Sequence, residues 1–247
     1  MMLIKWDDLP IEIRTEEARY YYDILSRKTS SLFFKRTFDL IVSSIMLIVL
    51  SPVFLILAIA IKVDSEGTVF YRQVRVTQYG KKFRIFKFRT MIQNADKMGS
   101  EVTANHDVRV TRVGSFIRKY RLDELGQLID VFRGTMTFVG TRPEVSKYVE
   151  QYAPKMWATL LLPAGITSEG SIYYKDEGEL LADSTDIDKT YIEDILPNKM
   201  FYNLEEIEKL NMWHDIKIMV MTVLTILGKE YGKRMPDTLK EKGIEKR

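Results

Sequence analysis

The chain has no cysteine among its 247 residues and only two histidines, His106 and His214, far apart in sequence. No disulfide and no thiolate ligand can form, which fits a reducing compartment. A zinc centre and a Ser-His-Asp triad both lack support, so a bound metal is expected to be a hard cation held by oxygen. The G-x-x-x-x-G-K-[ST] loop and the G-x-G-x-x-G fingerprint are absent, as are internal repeats and low-complexity tracts. Net charge is small, +3 from 37 Lys/Arg and 34 Asp/Glu, but unevenly spread. Val63 to Thr135 holds 14 basic and 8 acidic residues, whereas Met136 to Arg247 holds 15 and 19. The first part suits anionic substrates or anionic lipid; the second argues against nucleic acid as a partner.

One long uncharged run exists, the 22 residues from Leu40 to Ile61. That is enough to cross a bilayer core of roughly 30 Å at about 1.5 Å per residue, so hydropathy alone suggests one transmembrane helix. Ser51-Pro52 interrupts its centre. A mid-helix proline removes a backbone hydrogen bond and clashes with the preceding turn. Arg27, Lys28, Lys35 and Arg36 precede the run and Lys62, Arg72 and Arg75 follow it, positive charge on both sides. These features favour a re-entrant helix-break-helix that dips into one leaflet, with the Ser51 hydroxyl serving the backbone group that Pro52 frees. A second apolar segment, Ile216 to Leu227 after Trp213, is too short to span and reads equally as a core or an interfacial helix. Ala18, Tyr21, Tyr22 and Leu25 recur at helical spacing and fit a helix lying flat on a membrane or on the domain.

Thr68 to Val76 and Lys82 to Met91 read as a hairpin turning at Tyr79-Gly80-Lys81, with Phe83, Ile85 and Phe88 alternating against Arg84 and Lys87. Ser115 is expected to cap a short helix. A helix carrying Leu122, Leu125, Leu128, Ile129 and Phe132 on one side follows, with Asp123 and Glu124 in its first turn and Gly134 at its end. The bland meaning of that acidic turn is to complement the helix dipole. Pro143 is expected near the first position of another helix, and the acidic stretch Asp176 to Asp194 is expected to be solvated rather than a metal cage. The fold class is α/β, mainly helical with a small β-hairpin, in a single membrane-associated domain. Residues 1–34 are expected to form an amphipathic extension, 35–62 the hairpin in the membrane, 63–228 the main domain, with 213–228 as its core or interfacial helix, and 229–247 a polar tail.

Ser51-Pro52, Lys87-Phe88-Arg89-Thr90-Met91, Leu122-Asp123-Glu124-Leu125-x-Gln127-Leu128 and Val139-Gly140-Thr141-Arg142-Pro143-Glu144 stand in the order that resembles the bacterial sugar transferase family, the monotopic polyprenol-phosphate phosphoglycosyl transferases. The resemblance is close from Lys35 to Gly165 and looser to Gly228. It implies transfer of a sugar phosphate from a nucleoside diphosphate sugar, with a UDP-sugar expected, to polyprenol (undecaprenyl) phosphate with release of UMP. It further implies Asp123 as nucleophile, Glu124 with Asp123 as Mg²⁺ ligands, and Lys87, Arg89, Arg118, Arg142 and Glu144 at the substrate. Ser51-Pro52 corresponds to the family's membrane break. The phospholipid partner and the cytoplasmic face of the bacterial inner membrane follow as expectations, and a homodimer is left open. Gly126 replaces the family's usual proline and predicts a looser turn beside the dyad; Thr141 replaces the first proline of the family's usual Gly-Pro-Arg-Pro. Two other classes stay open from the residues: a membrane-anchored binding module and an ordinary glycosyltransferase.

Overall fold

The structure, a computed structural model, describes residues 3–95, 107–182 and 186–232. His106 lies outside them. Helix α1 (Glu16–Ser26) begins where the Thr15 hydroxyl accepts from Ala18 N. Its Ala18, Tyr21 and Leu25 are buried in a core shared with residues 145–210. Full burial of a Leu or Tyr side chain is worth about 1.5–3 kcal/mol, so the helix lies on the domain.

Helices α2 (Thr29–Val49) and α3 (Ser51–Asp64) meet at Leu50 with a bend of 60°. Pro52 has no N–H for the carbonyl four residues back, Ile48 O, and the Ser51 hydroxyl donates to that carbonyl at 2.8 Å. The expected break and its expected partner are both present. No single helix among the described residues is long and apolar enough to cross a membrane.

Helix α2 is inverted relative to a helix in water. Its buried stripe is Leu32, Lys35, Asp39 and Ser43, while Phe33, Phe34, Ile41, Ile45 and Ile48 are exposed. Each buried polar group has a partner. Lys35 pairs with Asp215 at 2.5 Å, Asp39 accepts from the Thr137 hydroxyl at 2.7 Å, and Ser43 donates to Leu40 O. Two more of the cations before the uncharged run are used in docking. Lys28 donates to Glu208 O and Leu210 O, and Arg36 donates to Val131 O and Phe132 O.

The hairpin forms as two short ladders in one register: β1 (Phe70–Tyr71) pairs with β4 (Lys87–Phe88), and β2 (Val74–Val76) with β3 (Lys82–Arg84). Ile85 N and Arg89 N extend the same register by donating to Gln73 O and Val69 O. Ile85 and Phe88 are both buried, but in separate clusters: positions 85 and 88 point to opposite faces of the strand, so alternation accounts for Phe83 and Ile85 and not for Phe88. Helix α4 (Arg112–Lys119) is capped by Thr111, whose hydroxyl accepts from Gly114 N at 3.0 Å; the expected cap, Ser115, sits inside the helix.

A 3-10 turn at Leu122–Gly126 leads into α5 (Gln127–Arg133), which stops at Gly134 with φ 82°. Strands β5 (Met136–Val139) and β6 (Ala164–Thr167) pair in parallel over α5. Between them α6 runs Ser146–Val149, three residues later than Pro143 suggests. The carbonyls of Thr141 and Glu144 accept from Gly165 N and Val76 N, which holds the intervening chain extended.

Beyond β6 come α7 (Glu169–Tyr173), α8 (Glu177–Ala182), α9 (Ile187–Thr190), a π-turn (Tyr191–Ile195), α10 (Leu196–Glu208) and α11 (Met212–Ile226). The fold is thus mostly helical with small sheets. The acidic stretch is not uniformly solvated, because Tyr191 and Ile195 enter the core. Helix α11 packs on the core through Ile218 and Met221, while Trp213, Val220, Val223 and Ile226 are exposed on its other side.

Candidate active site

Asp123 and Glu124 lie on the 3-10 turn, one turn ahead of the α-helix in which they were expected. The hydrophobic spacing cannot separate the two helix types over so short a run. Arg121 opens the turn in the left-handed region, φ 54°. An ideal Cβ at Gly126 would stand 2.8 Å from Phe86 O, so the glycine lets the turn press onto the hairpin backbone. The expected loosening is not found. This contact brings the hairpin residue Lys87 to the dyad.

The two carboxylates are treated differently. Glu124 takes Arg142 in a bidentate pair, with Lys87 Nζ at 3.8 Å and Arg121 Nη1 at 3.9 Å. Asp123 has no ion pair among the described residues. Burial pushes Glu124 up, but Arg142 and Lys87 outweigh it and hold the carboxyl at about 2. Burial and the neighbouring Glu124 push Asp123 above the usual aspartate value, against the pull of Lys87, Arg142 and Arg118. Adjacent carboxylates in one site commonly divide this way, one kept ionised and one raised.

A nucleophilic Asp123 must be ionised, so activity is expected to fall as pH drops through its raised value. Lys87→Met removes a cation that favours the ionised form. The acid limb of kcat/KM should therefore move to higher pH, a profile that reports the free enzyme's groups. A limb that stays put or moves down would mean that Lys87 does not act on Asp123.

Arg118 donates from Nε to the Thr90 hydroxyl at 2.8 Å and lies close enough for attraction to Asp123. Arg142, Lys87 and Arg118 are thus gathered at the dyad. Arg89 is not. It is buried, and its guanidinium donates to Glu66 O and to Ser65 O, closing the C-terminal end of α3. Glu144 is also displaced from the dyad, behind the cavity wall, where it accepts from Tyr191 OH at 2.6 Å and lies 3.6 Å from Lys199 Nζ.

A cavity of about 480 Å³ opens beside Glu124 and Arg142. One wall is apolar, with Met46 of α2, Leu128, Phe138, and Met219 and Val223 of α11. The other carries Lys175, Glu177 and Lys199. Glu177 falls in the acidic stretch expected to be solvated and Lys199 just beyond it, and neither they nor Arg121 carry a role in the sequence reading.

No group of three or more His, Asp or Glu side chains that could cage a metal occurs among the described residues. Mg²⁺ is normally held by one or two carboxylates together with substrate phosphates. Glu124 and Asp123 are the carboxylates that could hold it here, and Glu124 is paired with Arg142 in this structure.

Residues 30–229 match the family model for bacterial sugar transferases. The chain is 34% identical over 199 residues to a UDP-N-acetylgalactosamine-undecaprenyl-phosphate N-acetylgalactosaminephosphotransferase of Aeromonas hydrophila, covering 79% of this chain and 44% of that protein. It is 37% identical over 199 residues to a UDP-glucose:undecaprenyl-phosphate glucose-1-phosphate transferase of Klebsiella pneumoniae, covering 78% and 40%. A third relative, an undecaprenyl-phosphate galactose phosphotransferase of Salmonella typhimurium, is 31% identical over 218 residues, 82% of this chain and 42% of that protein. The chain therefore spans less than half the length of these relatives. With four motifs in order and a family match over most of its length, the chain belongs to the bacterial sugar transferase family.

Proposed function

We propose that the chain is a phosphoglycosyl transferase that moves a sugar phosphate from a UDP-sugar to undecaprenyl phosphate through a covalent intermediate on Asp123. The carrying observation is the dyad itself: Glu124 saturated by cations and lining a cavity with an apolar wall, and Asp123 next to it in the chain without an ion pair among the described residues. The relatives' substrates support the same reading.

In the first step an Asp123 oxygen bonds to the sugar-bearing phosphorus. The bond from that phosphorus to the bridging oxygen breaks, and UMP leaves with the electron pair. In the second, an oxygen of undecaprenyl phosphate bonds to the same phosphorus and the Asp123 bond breaks, restoring the carboxylate. Attack by an anion on an anion costs on the order of 4 kcal/mol per charge pair at about 4 Å in a partly solvated site. Lys87, Arg118 and Arg142 offset that repulsion and orient the diphosphate. Glu124 and Asp123 would hold Mg²⁺ against the diphosphate. When bound, the ion supplies positive charge to the phosphate oxygens and the departing monophosphate.

The bent pair α2–α3 is read as re-entrant. Its outer surface is apolar at Ile41, Ile45, Ile48, Leu55, Ile56 and Ile59, and its polar stripe faces the protein, the arrangement that lipid demands. Both of its ends join the same folded domain: Leu32 packs in the core with α1 and α10, and Ile61 packs with Phe88 and Ile117. A spanning helix would place those two cores on opposite sides of a bilayer. The exposed apolar face of α11 would extend this surface at headgroup depth, which supports a domain lying on one face, taken as the cytoplasmic face of the inner membrane.

The test is the identity of the released nucleotide. The full chain in nanodiscs, given UDP-sugar, Mg²⁺ and undecaprenyl phosphate, should release UMP. Release of UDP would identify an ordinary glycosyltransferase, and no turnover with any sugar a binding module.

A further inference from the structure

The polar wall of the cavity carries a charged group that the phosphate chemistry does not use. Lys199 of α10 is 4% exposed. Its ammonium donates to Glu177 Oε2 at 2.9 Å and to Tyr191 OH at 3.1 Å, with Glu144 at 3.6 Å. Taking such ions out of water costs several kcal/mol each unless they are closely paired. Glu144, 7% exposed, already provides the enclosed counter-charge for Lys199. Glu177 is different: its side chain is 36% exposed, and it lines the cavity together with Lys199, Arg142 and Glu124.

The surroundings select the chemical class of an occupant. A phosphate against Glu177 would meet like charge. An apolar group there would strip water from a carboxylate without replacing its hydrogen bonds. A neutral, hydroxyl-rich group satisfies both limits, because a carboxylate accepts from two adjacent O–H groups while the ammonium beside it donates to ring or hydroxyl oxygens. In the donor, the sugar is joined directly to the phosphorus that faces Asp123. Arg142 links the two regions, paired with Glu124 and attracted also to Glu177.

We infer that Glu177, held in place by Lys199, accepts the hydroxyl groups of the donor's sugar and determines which sugar epimer is bound. This rests on the transferase reading above. The nucleoside's ribose offers the same diol chemistry but lies one phosphate further from the attacked phosphorus, and the test separates the two.

Binding is measured calorimetrically on the full-length Asp123→Asn chain in nanodiscs with Mg²⁺, so that no turnover consumes the ligand. The probes are UDP-glucose, UDP-galactose, their N-acetylated counterparts and UMP. One epimer is expected to bind about tenfold or more tightly than its 4-epimer, since a site built to bond a hydroxyl rejects its misplacement. Adding Glu177→Gln should reduce that preference to within about twofold and leave UMP affinity unchanged. Glu177→Ala should do the same, and either variant suffices if the other fails to fold. A preserved preference, or none in the parent, overturns the inference. Equal loss for UMP and every sugar also overturns it, in favour of the ribose or of a merely structural role. If the preference collapses as expected but the native chain releases no UMP on adding undecaprenyl phosphate, the sugar subsite stands and the transferase reading falls.

Discussion

Asp123→Asn should abolish both turnover and the sugar-phosphate adduct that mass spectrometry detects before acceptor is added. The expected loss is at least ~10³-fold, the scale seen when a covalent nucleophile is removed. The substitution preserves volume and leaves Glu124 with its cations Lys87, Arg121 and Arg142. A failure to fold is therefore not the expected cause, and an unchanged melting temperature would show it. Glu124→Gln is the informative companion. It leaves the nucleophile in place but strands three cations, so it should slow adduct formation without moving the adduct to another residue. An adduct that persists in Asp123→Asn would remove Asp123 from the role of nucleophile.

Single cysteines at Ser30 and Glu66 should both react with a membrane-impermeant maleimide from the same face, an all-or-none result. The native chain has no cysteine, so the background is clean. Both positions are exposed, Ser30 in the first turn of α2 and Glu66 just beyond α3. The 14 residues of α3 reach about 21 Å at ~1.5 Å each, and the bend of 60° turns that length away from the axis of α2. Straightening the pair would require an N–H at position 52 for Ile48 O, where the Ser51 hydroxyl now donates. Labelling from opposite faces would establish a spanning helix and separate cores that share one domain here.

What the sequence made legible was local. The break at Ser51-Pro52, the register of the hairpin and the stop at Gly134 each depend on a few neighbouring residues whose backbone chemistry is distinctive. Charged residues were harder, because sequence does not say whether a charge meets solvent, substrate or a buried carbonyl. Arg89 stands two residues from Lys87, yet one closes a helix end and the other reaches the dyad. Glu144 stands two residues from Arg142 and faces a tyrosine instead of the site. Glu177 and Lys199 come together only through the packing of α8 and α10, a contact with no periodic signature. The resemblance to the family found the dyad, while the geometry distinguished its two members.

The packing of α1 has a consequence for how the protein is made. The Thr15 hydroxyl donates to a carbonyl 139 residues away, and Lys28 reaches one 180 residues away. The N-terminal core partners thus leave the ribosome early, followed by the apolar bent pair, long before α10 exists to receive them. Long-range contacts of this kind form late, after the entropy of a long loop has been overcome. On the re-entrant reading proposed above, the apolar pair meets lipid while the domain is still unfolded, and arrival of the last helices then draws both of its ends onto one body.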